Sequence, residues 1–124
     1  MNTAAWVVQG VLAAMFFGVG LAKVTQTRQQ LQALSPNLAW TEDFGDTTVK
    51  LIGAAEVLGA LGLILPMLTG IAELLTPIAA VGLVVVLIGA VVTHARRKEF
   101  NATTPPLALA IGAGFVAGVR FGLL

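Results

Sequence analysis

The chain has 124 residues, 57% of them hydrophobic and 10% charged, with a mean hydropathy of +0.93. Soluble domains carry about 25% charged residues, so this chain lacks the polar surface to face water and is expected to face lipid. A net charge of +1 gives no reason to expect nucleic acid, and the absence of cysteine excludes disulfides, a thiol redox pair, thiolate metal ligands and cysteine nucleophiles.

A single transmembrane domain over 1–124 is expected, because no internal region is polar enough to form a second one. The first span covers residues 3–22, TAAWVVQGVLAAMFFGVGLA, and Lys23 closes it. It has about the length needed to cross a bilayer core. Trp6 stands where an interfacial aromatic anchor would, and Gln9 is the one strongly polar residue inside. No basic region precedes the apolar run, so a retained span is expected rather than a cleaved signal peptide.

Residues 24–50 form the one long polar stretch. TQTRQQLQAL is rich in helix formers that either continue the first helix or lie at the interface, and Ser35-Pro36-Asn37 breaks it. Trp40 and Phe44 among Glu42, Asp43 and Asp46 predict an interfacial cap over the bundle, with Asp46 or Thr47 as the next N-cap. The second helix is predicted over 49–65, ending at Pro66. The short PMLTG connection implies that the third helix, 71–93, returns beside it. Pro77 in that helix marks either its start or a kink that neighbouring helices absorb. His94-Ala95-Arg96-Arg97-Lys98-Glu99 ends it, and Pro105-Pro106 opens a fourth helix over 107–124. The fold class expected is therefore all-α: an antiparallel four-helix transmembrane bundle with an interfacial loop between helices one and two.

In that bundle loops 24–49 and 94–106 share one side, and both termini share the other. Lys23, Arg28, Lys50, Arg96, Arg97 and Lys98 fall on the first side, with only Arg120 and the amino terminus on the second. The positive-inside rule puts the two loops in the cytoplasm. Within KLIGAAEVLGALGLILP, Glu56 lies about 9 Å along the helix from Lys50, inside the hydrocarbon edge. A carboxylate at that depth needs a partner and marks a candidate site. Lys23, His94, Arg96 and Arg97 are the candidates at the same level. Three readings stand side by side: a structural ion pair, a polar pocket for a lipid-soluble ligand such as a quinone or isoprenoid, and acid–base catalysis by Glu56 with His94. No metal site is expected from a single His.

Glu73 and Arg120 share the opposite side, where a peripheral salt bridge or simple solvation is expected. Gly114, Gly118 and Gly122 form a small-residue stripe on the fourth helix, suited to close packing within the monomer or to a homodimer face.

Gly20-Leu21-Ala22-Lys23 closing the first span, the Gly53, Glu56, Gly59 core of the second, and the His-x-Arg-Arg close of the third together resemble the DoxX-like family of small four-helix membrane proteins. The resemblance covers nearly the whole chain. It implies recurrent polar positions at Lys23, Glu56, His94 and Arg97, and so a ligand-binding set of those four. The family name derives from a subunit of a thiosulfate:quinone oxidoreductase. Other members are linked to oxidative-stress complexes, and a eukaryotic relative assists assembly of a receptor channel. This chain has no haem-ligand pair and no thiol, so the catalytic label is not carried over. The expectation is a multi-pass accessory or scaffold protein of a prokaryotic cell (inner) membrane, contacting lipid and a membrane or redox protein partner, with quinone as the candidate cofactor. The alternative is a membrane-embedded enzyme with Glu56 and His94 as catalytic groups. A transporter is not supported, because no repeated broken-helix pattern is present.

Overall fold

The computed structural model describes all 124 residues and contains helices and no strands. They are α1 (Asn2–Thr25), α2 (Arg28–Leu34), α3 (Asp46–Thr69), α4 (Leu75–Arg96) and α5 (Thr104–Arg120), with 3-10 segments at Pro36–Asp43 and Phe100–Thr103. Four spans are long and apolar enough to cross a membrane: α1, α3, α4, and α5 with the segment before it. Their outer faces carry Val7, Val11, Leu58, Leu61, Val85, Ile88 and Ile111, all exposed, as lipid-facing surfaces must be.

These helices are apolar all round, so hydrophobicity alone does not decide which face turns inward. In lipid, close packing and polar contacts decide it. A β-carbon on Gly20 would stand 2.7 Å from the Gly53 carbonyl oxygen, and one on Gly53 would stand 2.6 Å from Lys23 Cβ. The bare backbones of α1 and α3 therefore touch. Gln9 reaches Leu63 while Lys23 reaches Glu56, so numbering rises along α1 as it falls along α3. Gly59 lies against Leu83 and Gly62 against Ala79, which seats α4 on the other flank of α3. Between them a core of Leu12, Phe16, Leu63, Leu83, Leu87 and Val116 is fully or almost fully buried.

Several boundaries differ from the sequence expectation, among them the start of α4, at Leu75 rather than 71. The second span does not stop at Pro66 but runs on to Thr69 and ends at Gly70, whose φ of +72° closes the helix in the left-handed region. Pro66 lacks the N–H that would bond the Gly62 carbonyl. The Thr76 hydroxyl, from α4, donates to that carbonyl at 2.8 Å instead. Pro77 sits in the first turn of α4, where its missing N–H would have no helical partner anyway.

The polar run after α1 forms a separate short helix, because Thr27 and Gln30 build a reciprocal capping box. Gly45, not Asp46 or Thr47, is the N-cap of α3. The last helix ends at Arg120 rather than at Leu124. Gly122, with φ +80°, is its terminal turn: the Leu123 and Gly122 amides donate back to the Gly118 and Val119 carbonyls. The three glycines 114, 118 and 122 therefore do not form one continuous helical face. Gly118 is covered by Leu124, whereas a β-carbon on Gly114 would meet nothing within 4 Å.

Candidate functional site

Glu56 lies ten residues into α3 and is buried. Lys23, at the last turn of α1, donates to Glu56 Oε1 at 2.6 Å, with both side chains under a tenth exposed. The Gly20–Gly53 contact is what brings them together. It lets α1 approach α3 closely one turn before the lysine and one turn before the glutamate. The ammonium also lies 5.2 Å from the centre of the Trp40 ring, a cation–π contact that adds a second partner. Glu56 Oε2 accepts no hydrogen bond from the protein.

Beside the pair is a cavity of about 280 Å³. Phe16, Trp40 and Phe44 contribute aromatic walls, and Lys23, Glu56, Thr93 and His94 contribute the polar ones. Trp40 and Phe44 meet edge to face at 5.6 Å between centroids. They hang from the 3-10 segment and the residue that caps it, so the expected interfacial cap forms a lid over the site.

His94 is buried near the end of α4 and lines the same cavity. Its Nδ1 is 2.9 Å from Glu99 Oε1. Glu99 is held below the ordinary carboxylate range, chiefly by the His94 hydrogen bond and further by Arg97, against the opposing effect of burial. Glu99 is therefore ionised at neutral pH and can only accept, so Nδ1 carries the proton of that bond. In the neutral ring Nε2 is then an acceptor, and it bonds no protein group. The local backbone explains the contact. Lys98 adopts φ +58°, and the Glu99 amide donates to the His94 carbonyl, which folds Glu99 back over the helix end.

Arg97 does not line the cavity. It donates to Asp43 Oδ2 at 2.7 Å, to Glu42 Oε1 at 3.0 Å and to Glu99 Oε2 at 3.2 Å. Those bonds, Asp43 first and Glu42 next, raise its already high pKa further. Arg97 is thus a strap. It ties the Trp40-bearing segment to the end of α4. Arg96 is exposed and makes no ion pair.

At the other end, Arg120 is not paired with Glu73. It donates to Gln9 Oε1 and Asn2 Oδ1, each at 2.7 Å, and lies 5.4 Å from the Trp6 ring. Gln9 in turn donates to the Leu63 carbonyl near the Pro66 break. Four spans long and apolar enough to cross a bilayer, with a buried lysine–glutamate pair among them, define an integral membrane protein.

The family model described as the DoxX-like family matches residues 7–116, and the chain belongs to that family. Neither the curated proteins nor the solved structures include a match.

Proposed function

We propose that this is a membrane accessory or scaffold protein whose interior pocket holds a lipophilic, ring-bearing ligand of the quinone class beside a redox enzyme. One observation carries the reading: Lys23, Glu56 and His94 line a single cavity together with three aromatic rings. A closed, saturated ion pair would need no such space. At about 280 Å³ the cavity is larger than the roughly 150 Å³ void that takes up benzene in an engineered protein interior. The Lys23 ammonium suits a ring carbonyl, while Glu56 Oε2 and His94 Nε2 suit a ring hydroxyl. The basic residues of loops 24–49 and 94–106 favour a cell membrane with that end in the cytoplasm.

The test is mass spectrometry of the protein purified in mild detergent. The expected result is one quinone or isoprenoid per chain in the native protein, and its loss from Glu56→Gln at unchanged helical content. Native protein that carries only bulk phospholipid would refute the reading.

A second reading is favoured by the same two unengaged acceptors. Glu56 or His94 would take a proton from a hydroxyl of the bound molecule, making the protein a membrane-embedded enzyme. Turnover of a copurified lipid by the isolated protein, lost in both Glu56→Gln and His94→Gln, would distinguish this from simple holding.

A further inference from the structure

The cavity has two borders. On the loop side, Trp40 and Phe44 close it, and Arg97 fastens their segment through Glu42, Asp43 and Glu99. On the flank between α3 and α4 the wall is Ile52, Val86, Gly89 and Ala90, with Thr93, one turn beyond Gly89, as the polar residue nearest that flank. Along α4, the buried residues Ala80, Leu83, Leu87 and His94 mark the inward face. At 100° per residue, Gly89 stands about 150° from the middle of that face, yet it borders the cavity. Gly89 is exposed, and a β-carbon placed on it meets no atom within 4 Å.

From this geometry we infer that the cavity opens sideways into the bilayer through the α3–α4 seam at Gly89, and that its ligand is a tailed amphiphile. The head lies against Lys23, Glu56 and His94, and the apolar tail leaves past Ile52, Val86 and Gly89. This rests on the quinone-class reading and narrows it to molecules bearing an alkyl or prenyl tail. A second apolar groove, lined by Gly18, Val19, Ala22 and Leu31, also borders Lys23. Lys23 is the one residue that lines both, so a tail taking that way would have to pass the bonded lysine.

Three glycines allow a matched test, because a β-carbon on Gly89, Gly82 or Gly18 meets nothing within 4 Å. Gly82 lies two turns from Gly89 on the same exposed stripe of α4 but does not line the cavity. Replacing a helical glycine by phenylalanine favours the helix, and circular dichroism checks that each variant folds. With Trp6→Phe as background, Trp40 is the remaining tryptophan and reports on the cavity. The probes are a decyl-substituted benzoquinone and its tail-less, water-soluble counterpart, titrated against protein in lipid nanodiscs.

Saturable quenching of Trp40 by the tailed quinone is expected in the background protein and, within about twofold, in Gly82→Phe and Gly18→Phe. In Gly89→Phe the half-saturating concentration should rise about tenfold or more, because the added ring stands in the mouth that the tail must pass. Equal curves for Gly89→Phe and Gly82→Phe would overturn the seam, as would selective loss in Gly18→Phe. Tail-less quinone binding as tightly as the tailed one would overturn the tail requirement. No saturable quenching by either quinone in the background protein would sink the pocket reading itself, and the seam with it.

Discussion

At the scale of single residues, the Lys23–Glu56 pair poses a question of energetics. Two buried charges seldom add stability over apolar residues of the same size, whereas removing one partner leaves the other uncompensated. Either Lys23→Met or Glu56→Leu alone should therefore cost about 3–5 kcal/mol, read from denaturant titration in mixed micelles. The double variant should recover most of that loss and yet retain no quinone-class ligand. A double variant that still holds ligand would make the pair structural. The carboxylate that holds the Arg97 strap at the end of α4 responds to pH. Glu99 has a folded pKa depressed below its ordinary 4.5, so its contribution is present above that value and is lost as pH falls through the lower folded value. Acidification below about pH 4.5 should free the Trp40 segment, seen as rising acrylamide quenching of Trp40 that reverses at pH 6. Glu99→Gln should show the higher quenching already at neutral pH. Glu56, Lys23 and His94 were legible in the sequence because ionisable residues inside apolar spans are scarce and stand out. The destination of Arg97 was not. Its partners depend on the left-handed turn at Lys98 and on where the cap folds, and neither has a local signature.

At the scale of elements, the membrane spans are recognisable from run length and charge spacing, but their ends depend on contacts from elsewhere in the chain. Pro66 is the clearest case. Proline reads as a stop because it leaves a carbonyl unpaired, and in lipid an unpaired carbonyl is costly. Thr76, ten residues later and on the next helix, supplies the missing donor, so α3 continues for another turn. The two residues should behave as a coupled pair. Thr76→Val should destabilise the protein by about 0.5–2 kcal/mol, the range for hydrogen bonds between membrane helices. On a Pro66→Ala background, where the restored backbone amide can bond the Gly62 carbonyl itself, the same change should cost close to nothing. Additive effects in this double-mutant cycle would show that the hydroxyl is not substituting for the lost amide. The last span illustrates the converse. Its glycine spacing read as a helical stripe to the C-terminus, but a glycine four residues from the previous one serves equally well as a C-terminal cap, and Gly122 does so.

At the scale of the whole molecule, composition alone gave the class of object, because a chain with this little charge has nowhere to fold but lipid. It did not give the inward faces, since spans that are apolar on every side leave that choice to glycine contacts and a few polar bonds. Orientation in the membrane rests on the basic residues outside the bundle interior. Lys23 is spent inside the bundle, yet Arg28, Lys50, Arg96, Arg97 and Lys98 stay at the loop end, against Arg120 at the other. The rule counts Lys and Arg rather than net charge, so the acidic partners of Arg97 do not cancel its vote. The cap, its strap and Glu99 should accordingly face the cytoplasm, with both termini outside. Because the chain has no cysteine, single thiols can report this without background. Leu123, beyond the end of α5, and Gln29, on α2, are both exposed and suit the purpose. In right-side-out vesicles, Leu123→Cys should react with a membrane-impermeant maleimide, and Gln29→Cys should react only after permeabilisation. The reverse pattern would invert the molecule, making the strap respond to the pH outside the cell rather than within it. Labelling of both sites from outside would be incompatible with the loop end and the termini lying on opposite sides of the bilayer.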